Sequence, residues 1–202
     1  MDRTLKALEG QEFDVLVEKM APGGAGIARL STGVVAFVTG AAPGDFLKVK
    51  VGRAQKRFLE CQIVKILKPS PFRRNPPCPH FGVCGGCKWQ HIQYSEQLKQ
   101  KQKIVEEALS RKEIFKVEGF QCLEIEPSPK EYRYRNRIQL QVGNGCVGYF
   151  ATKSHNLVPV QDCLLADEKI GSLQDFSNKF ELGQRIEVGL DESGNIFSGR
   201  TA

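Results

Sequence analysis

The chain has 202 residues and a mass of 22.5 kDa, a length that suits two small domains better than one. A hydrophobic share of 41% supports folded cores and excludes a wholly disordered chain. No run approaches the roughly 18 apolar residues of a spanning helix, and the opening MDRTLKALEGQEFDV lacks the apolar stretch of a secretory signal. A soluble, cytoplasmic protein without membrane contact is therefore expected, and a monomer. The net charge of +6 is uneven. Between Lys48 and Ile104, 13 basic residues face only Glu60 and Glu96, so the remainder is net acidic. A basic middle in an acidic chain points to a polyanion site.

In chain order, Glu12 to Lys68 alternates and turns like a small β-barrel. FDVLVEKM puts Phe13, Val15 and Val17 on one face, PGGAG is a tight turn, and IARL, TGVVAFV and FLKVKVGRAQKRFLECQIVKIL supply further strands. About five strands in about 57 residues is the size of an OB-like or SH3-like barrel. Gly23, Gly24 and Gly26 are expected at positive φ. They are no phosphate cradle, because no helix opening with Lys-Ser/Thr follows. Pro69, Pro71, Pro76, Pro77 and Pro79 mark a stiff linker. Beyond the cysteine-rich stretch, SEQLKQKQKIVEEALSRK reads as a helix with Ser95 as N-cap and Leu98, Lys101 (through its stem), Val105, Ala108 and Leu109 on one face. A second β-rich segment runs from about Phe120 to the end through YRYRNRIQLQVG, CVGYFA, LVPV and RIEVGL, with the turn DESGN. The whole is mainly β with α. Its predicted parts are a barrel at 1–68, a Pro-rich linker and Cys-rich loop at 69–92, a helix at 93–118, and a central β-rich domain at 119–202.

Seven cysteines, an odd number with no secretory signal, argue against a disulfide framework. Three crowd into CPHFGVCGGCKWQH, where Cys78, Cys84 and Cys87 flank Gly85 and Gly86. Thiolates this close on a glycine-rich loop can converge on one metal centre. Spacing leaves two occupants open. Zinc needs a fourth ligand, for which His80 or His91 is at hand, whereas an iron–sulfur cluster needs a fourth cysteine from elsewhere.

The segment CPHFGVCGGCKWQHIQYSEQLKQKQKIVEEAL resembles that of the RNA uracil-C5 methyltransferases that carry a TRAM domain and an iron–sulfur cluster, the bacterial type acting on large-subunit ribosomal RNA above all. PGGAGIAR is similar to the TRAM turn, YRYRNRIQLQV to the family's Tyr-Arg-Asn strand, and VPVQDCLLA to the place of its fourth cluster cysteine. The resemblance implies that Cys78, Cys84, Cys87 and Cys163 hold a 4Fe–4S cluster. With 75 residues between Cys87 and Cys163, that cluster would staple the loop to the second β segment. Cys61, Cys122 and Cys146 have no counterpart and are expected to be small residues in strands.

The family's nucleophilic cysteine, general base and S-adenosylmethionine pocket sit in a Rossmann-like domain after the stretch matched here. No glycine-rich strand–turn–helix fingerprint occurs in these 202 residues. The expectation is an RNA-binding, cluster-bearing half that does not methylate alone. The rival readings are a non-catalytic RNA-binding module with structural zinc or iron–sulfur, and an electron-transfer protein.

Two basic sets are candidates for RNA. Lys48, Lys50, Arg53, Lys56 and Arg57 on the barrel would neutralise phosphates, or blunt a strand edge. Strand alternation would align Arg133, Arg135 and Arg137 with Gln139 and Gln141 on one face, with Tyr132, Tyr134, Ile138, Leu140 and Val142 entering the core. Three adjacent guanidiniums need anions, either phosphate or the acidic C-terminal stretch. Trp89 and Phe81 would stack a base or shield the cluster, and Gln90 and His91 would hydrogen-bond within their own loop.

Overall fold

The structure is a computed structural model that describes residues 3–111 and 120–201. The chain divides into two compact units, one of Met1–Pro76 with Lys88–Pro127 and one of Pro77–Cys87 with Ser128–Ala202. The linear partition at 69–92 is thus cut inside the cysteine stretch. Cys78, Cys84 and Cys87 go with the C-terminal sheet, whereas Trp89 and His91 go with the barrel.

After a helical turn, α1 (Arg3–Lys6), five strands close a barrel: β1 (Glu12–Met20), β2 (Gly26–Arg29), β3 (Val35–Thr39), β4 (Phe46–Ala54) and β5 (Phe58–Lys68). They pair in the order β1-β2-β3-β5-β4, with β3 and β5 parallel and β4 closing on β1. Alternation sends Val15, Val17, Val38, Leu47, Val49, Val51 and Leu59 inward, each at most 2% exposed. Phe13 packs against this core from the rim, and Cys61 lies inside it. Gly23 and Gly24 have positive φ as expected, but Gly26 does not. A Cβ on Gly26 would stand 2.8 Å from Val17 Cγ1 and 2.9 Å from the Ala41 Cβ. Close packing therefore demands glycine there, not backbone handedness.

The Pro-rich segment is tied to the barrel and is no free spacer. Fully buried Asp45 accepts from the Ser70 amide at 2.9 Å and pairs with Arg73, while Arg74 N–H donates to the His91 carbonyl. Helix α2 (Tyr94–Ser110) has Gln93 as its N-cap, two residues before the expected Ser95 and without a side-chain cap bond, so Ser95 is no cap. Lys112 and the rest of 112–119 lie outside the described residues. The apolar stripe is not the docking face: Val105 is 49% exposed, and the buried residues are Glu96 and Gln100. Gln100 accepts from the Met20 amide and donates to Glu96, and Lys19 pairs with Glu107 at 2.7 Å. The helix docks on β1 through hydrogen bonds.

The second unit is a five-stranded antiparallel sheet of order β10-β9-β6-β7-β8, from β6 (Arg137–Val142), β7 (Val147–Phe150), β8 (Leu157–Pro159), β9 (Arg185–Leu190) and β10 (Ile196–Arg200). Ile138, Leu140, Val142, Ile186 and Val188 line its buried face, covered by Ile170, Leu173 and Phe176 from two short 3-10 turns. Among the described residues no helix is long and apolar enough to cross a membrane.

Candidate functional site

The cysteine loop folds back on itself through Phe81 N–H to the Cys78 carbonyl and Cys84 N–H to the His80 carbonyl, turning at Gly82 with φ 90°. It then joins the end of β7. Cys84 bridges Ala151, and Gly85 N–H donates to the Phe150 carbonyl at 2.9 Å. A Cβ on Gly85 would stand 2.8 Å from that oxygen, so only glycine fits this approach. The next amide, of Gly86, donates to Cys84 Sγ at 3.4 Å.

Cys163 follows β8 and packs against the core of the same unit. Burial raises the Cys84 thiol pKa, and the nearby charges of Cys163 and Cys78 raise it further. Cys78, Cys84 and Cys163 all lie in the one unit formed by 77–87 and 128–202. Cys87 ends the same loop, three residues beyond Cys84. The partly buried Tyr149 hydroxyl is hydrogen-bonded to Cys163, and burial together with Cys163 holds its pKa far above the ordinary value. Tyr149 was missed by sequence reasoning. Its only signal was the β7 alternation that places it on the face of Val147. None of the seven cysteines forms a disulfide. Among the described residues no three His, Cys, Asp or Glu side chains are gathered tightly enough to hold a single metal ion. The donor set still fits a thiolate-bound centre, with several thiols drawn together and hydroxyl and amide donors aimed at two sulfurs.

The other candidates lie elsewhere. His91 is buried in the barrel unit, its Nε2 3.0 Å from the Ala41 carbonyl, so it is engaged outside its own loop. Trp89 donates from Nε1 to the Gly24 carbonyl at 3.3 Å and packs on Met20, Ala42 and Ile92. Cys61 is a core residue whose thiol is pushed up to about 11 by burial. Cys146 sits in the turn before β7, and Cys122 lies outside any strand, so only one of the three is the strand residue expected.

The arginine ladder does not form. Strand β6 begins only at Arg137, and Arg133 has φ 57°, which breaks the alternation that would align it with Arg135 and Arg137. Arg133 binds Asp162 through both terminal nitrogens at 2.6 Å, Arg135 bridges Ala166, and Arg137 lies 3.5 Å from Glu187 and over the Phe197 ring. Acidic neighbours meet two of the three arginines. Tyr134 is correspondingly exposed and not in the core.

On the barrel, Lys48 and Lys50 point outward from β4, and Arg53, Lys56 and Arg57 are exposed. Lys48 is committed to Asp14 at 2.7 Å, and that hydrogen bond raises its pKa. Register adds a residue that sequence reasoning missed: Lys65 of β5 stands opposite Lys48, also exposed.

Comparison with known proteins bears on these features. Residues 6–64 match the TRAM domain. The chain is 40% identical over 198 residues to an uncharacterized RNA methyltransferase of Bdellovibrio bacteriovorus, covering 95% of this chain and 50% of that protein. It is 38% identical over 166 residues to one of Aquifex aeolicus, covering 82% and 38%. A solved tRNA (uracil-54, C5)-methyltransferase of Pyrococcus abyssi, in complex with S-adenosyl-L-homocysteine, shares the fold over 92% of this chain and 45% of its own, with TM-score 0.59 and 24% identity. A TRAM barrel joined to a β unit carrying a cysteine loop defines the class. Residues 6–64 are a TRAM domain, and over nearly its whole length the chain is similar to proteins described as RNA methyltransferases; it spans about half the length of the Bdellovibrio relative.

Proposed function

We propose that this chain is the RNA-binding, cluster-bearing part of an S-adenosylmethionine-dependent RNA uracil-C5 methyltransferase acting on ribosomal RNA in the cytoplasm as a monomer. The observation that supports the cluster reading is that the cysteine loop at 77–87 belongs to the same compact unit as Cys163, far away in sequence, and is fastened there by Cys84 bridging Ala151 and Gly85 N–H donating to the Phe150 carbonyl. A 4Fe–4S cluster offers each thiolate a different iron, so its ligands need not crowd as closely as those of one zinc ion. Cys78, Cys84, Cys87 and Cys163 would hold it, and its contribution would be structural, fastening the cysteine loop to the sheet. S-adenosylmethionine would supply the methyl group, from a pocket to which none of the residues named here is assigned. The part played by these residues is RNA capture, supported by the TRAM match and by the exposed Lys50, Arg53, Lys56 and Arg57. Ribosomal RNA as the target rests on the family resemblance.

Anaerobic purification tests the reading. Brown protein holding about four irons and four sulfides per chain is expected. Colourless protein with one zinc would replace it by the non-catalytic zinc module. Given S-adenosylmethionine and unmodified ribosomal RNA, these 202 residues are expected to form no 5-methyluridine.

A further inference from the structure

We propose that Arg133 is the positioning residue for Cys163, and that together with Asp162 it clamps the 162–166 turn so that the Cys163 sulfur faces Cys84. The inference rests on the cluster reading and names the groups that hold its distant ligand. Arg133 Nη1 donates to Asp162 Oδ1 at 2.6 Å and to the Cys163 carbonyl at 3.2 Å, and its Nη2 donates to Asp162 Oδ2 at 2.6 Å. Its own amide donates to the Leu164 carbonyl at 2.8 Å. One residue thus grips three successive members of the turn. Ala166 N–H closes the turn on the Cys163 carbonyl at 2.8 Å, and Arg135 continues the seam by donating to Leu165.

The backbone of Arg133 supplies a second, independent sign. A φ of 57° is unfavourable for a side chain as long as arginine, and such geometry persists where the surroundings over-determine it. Had the segment continued as a strand, its amide would have pointed sideways in the sheet plane and its side chain roughly perpendicular to that plane. The left-handed turn brings both to the same loop. The Asp162 carboxylate is about half exposed, so the ion pair adds little to the stability of the unit. Its effect falls instead on where the Cys163 sulfur stands relative to Tyr149 and Cys84.

The test uses the full chain, reconstituted anaerobically with ferrous iron and sulfide, and follows loss of the chromophore into excess chelator. Arg133→Gln and Asp162→Asn are each expected to lose the cluster about tenfold or more faster than wild type, with nearly unchanged melting of the metal-free protein. The double variant is expected to be no worse than the poorer single one, because both act through one clamp. Arg133→Lys, which keeps charge but not the fork, should fall between, and Cys146→Ser should match wild type. If Arg133→Gln fails to fold, Asp162→Asn decides. Iron-loaded wild type with an equally long-lived cluster in Asp162→Asn and Arg133→Gln would overturn the clamp alone. Wild type that takes up no iron would overturn the cluster reading, and the clamp with it.

Discussion

Arg73 reaches back to fully buried Asp45 through two hydrogen bonds, Nη2 to Oδ2 at 2.7 Å and Nε to Oδ1 at 2.8 Å. The same carboxylate accepts from the Ala42 amide at 2.6 Å and the Ser70 amide at 2.9 Å, so one side chain fastens the Pro-rich segment to the barrel. Removing one partner of such a pair leaves the other charge uncompensated. Asp45→Asn is expected to cost about 3–5 kcal/mol, read as a lower denaturant midpoint at unchanged slope. A loss below about 1 kcal/mol would mean that the carboxylate is not the fastening point.

The cysteines divide into two groups with opposite expectations. On the proposed cluster reading, Cys163→Ser should strip or destabilise the cluster, because Cys163 is its ligand from outside the cysteine loop and lies in the same compact unit. Cys122→Ser, Cys146→Ser and His91→Ala should keep full iron content. Loss of metal in His91→Ala but not in Cys163→Ser would show that the ligand set is misassigned.

RNA affinity should track the uncommitted cations of the barrel. Replacing Lys50, Arg53, Lys56 and Arg57 by Gln is expected to flatten the salt dependence of binding to a ribosomal RNA fragment, by about one unit of slope for each phosphate no longer neutralised. Lys48→Gln should change it less, since Lys48 already pairs with Asp14. Fluorescence anisotropy across a salt series reads both, and equal effects of Lys48→Gln and Lys50→Gln would contradict the assignment.

The buried His91 ring should make the barrel unit acid-sensitive. Burial lowers its pKa below the ordinary 6.5, with the Arg73 charge acting in the same direction and the Ala41 carbonyl and Asp45 against it. The unfolded chain therefore binds the proton first as pH falls. Stability should be level above about pH 7 and decline as pH drops below about 6.5. His91→Gln should remove part of that decline in thermal melts, and an identical pH profile would exclude His91 as its source.

Gly26→Ala should loosen the barrel by about 1–3 kcal/mol, the range for overpacking a close-packed site. The added methyl would press on Val17 and Ala41. Gly23→Ala meets no atom and would suffer only from its positive φ. Equal melting temperatures for Gly26→Ala and wild type would show that the barrel yields at this point.

The barrel was legible in the sequence because its signal is local. Alternation in FDVLVEKM and FLKVKV puts Val15, Val17, Leu47 and Val49 inside wherever the partner strands lie. The crowding of Cys78, Cys84 and Cys87 is local too, and it is what prompts the proposal of a metal loop. What followed from contacts distant in sequence was decided only by the tertiary structure. Extrapolating the β6 alternation back to Arg133 failed because Asp162 and the Leu164 carbonyl, about 30 residues away, hold that residue in a left-handed turn. The apolar stripe of α2 was misleading because β1 offers it the Met20 amide and Lys19, groups that polar Gln100 and Glu107 can satisfy and Val105 cannot. Lys48 and Lys50 look alike in sequence, and strand register sets an acid opposite each, Asp14 and Glu12; only the closed pair of Lys48 with Asp14 at 2.7 Å sets them apart. Periodicity determines which face of a strand is buried, whereas pairing across the fold determines which charges, sulfurs and amides remain for function.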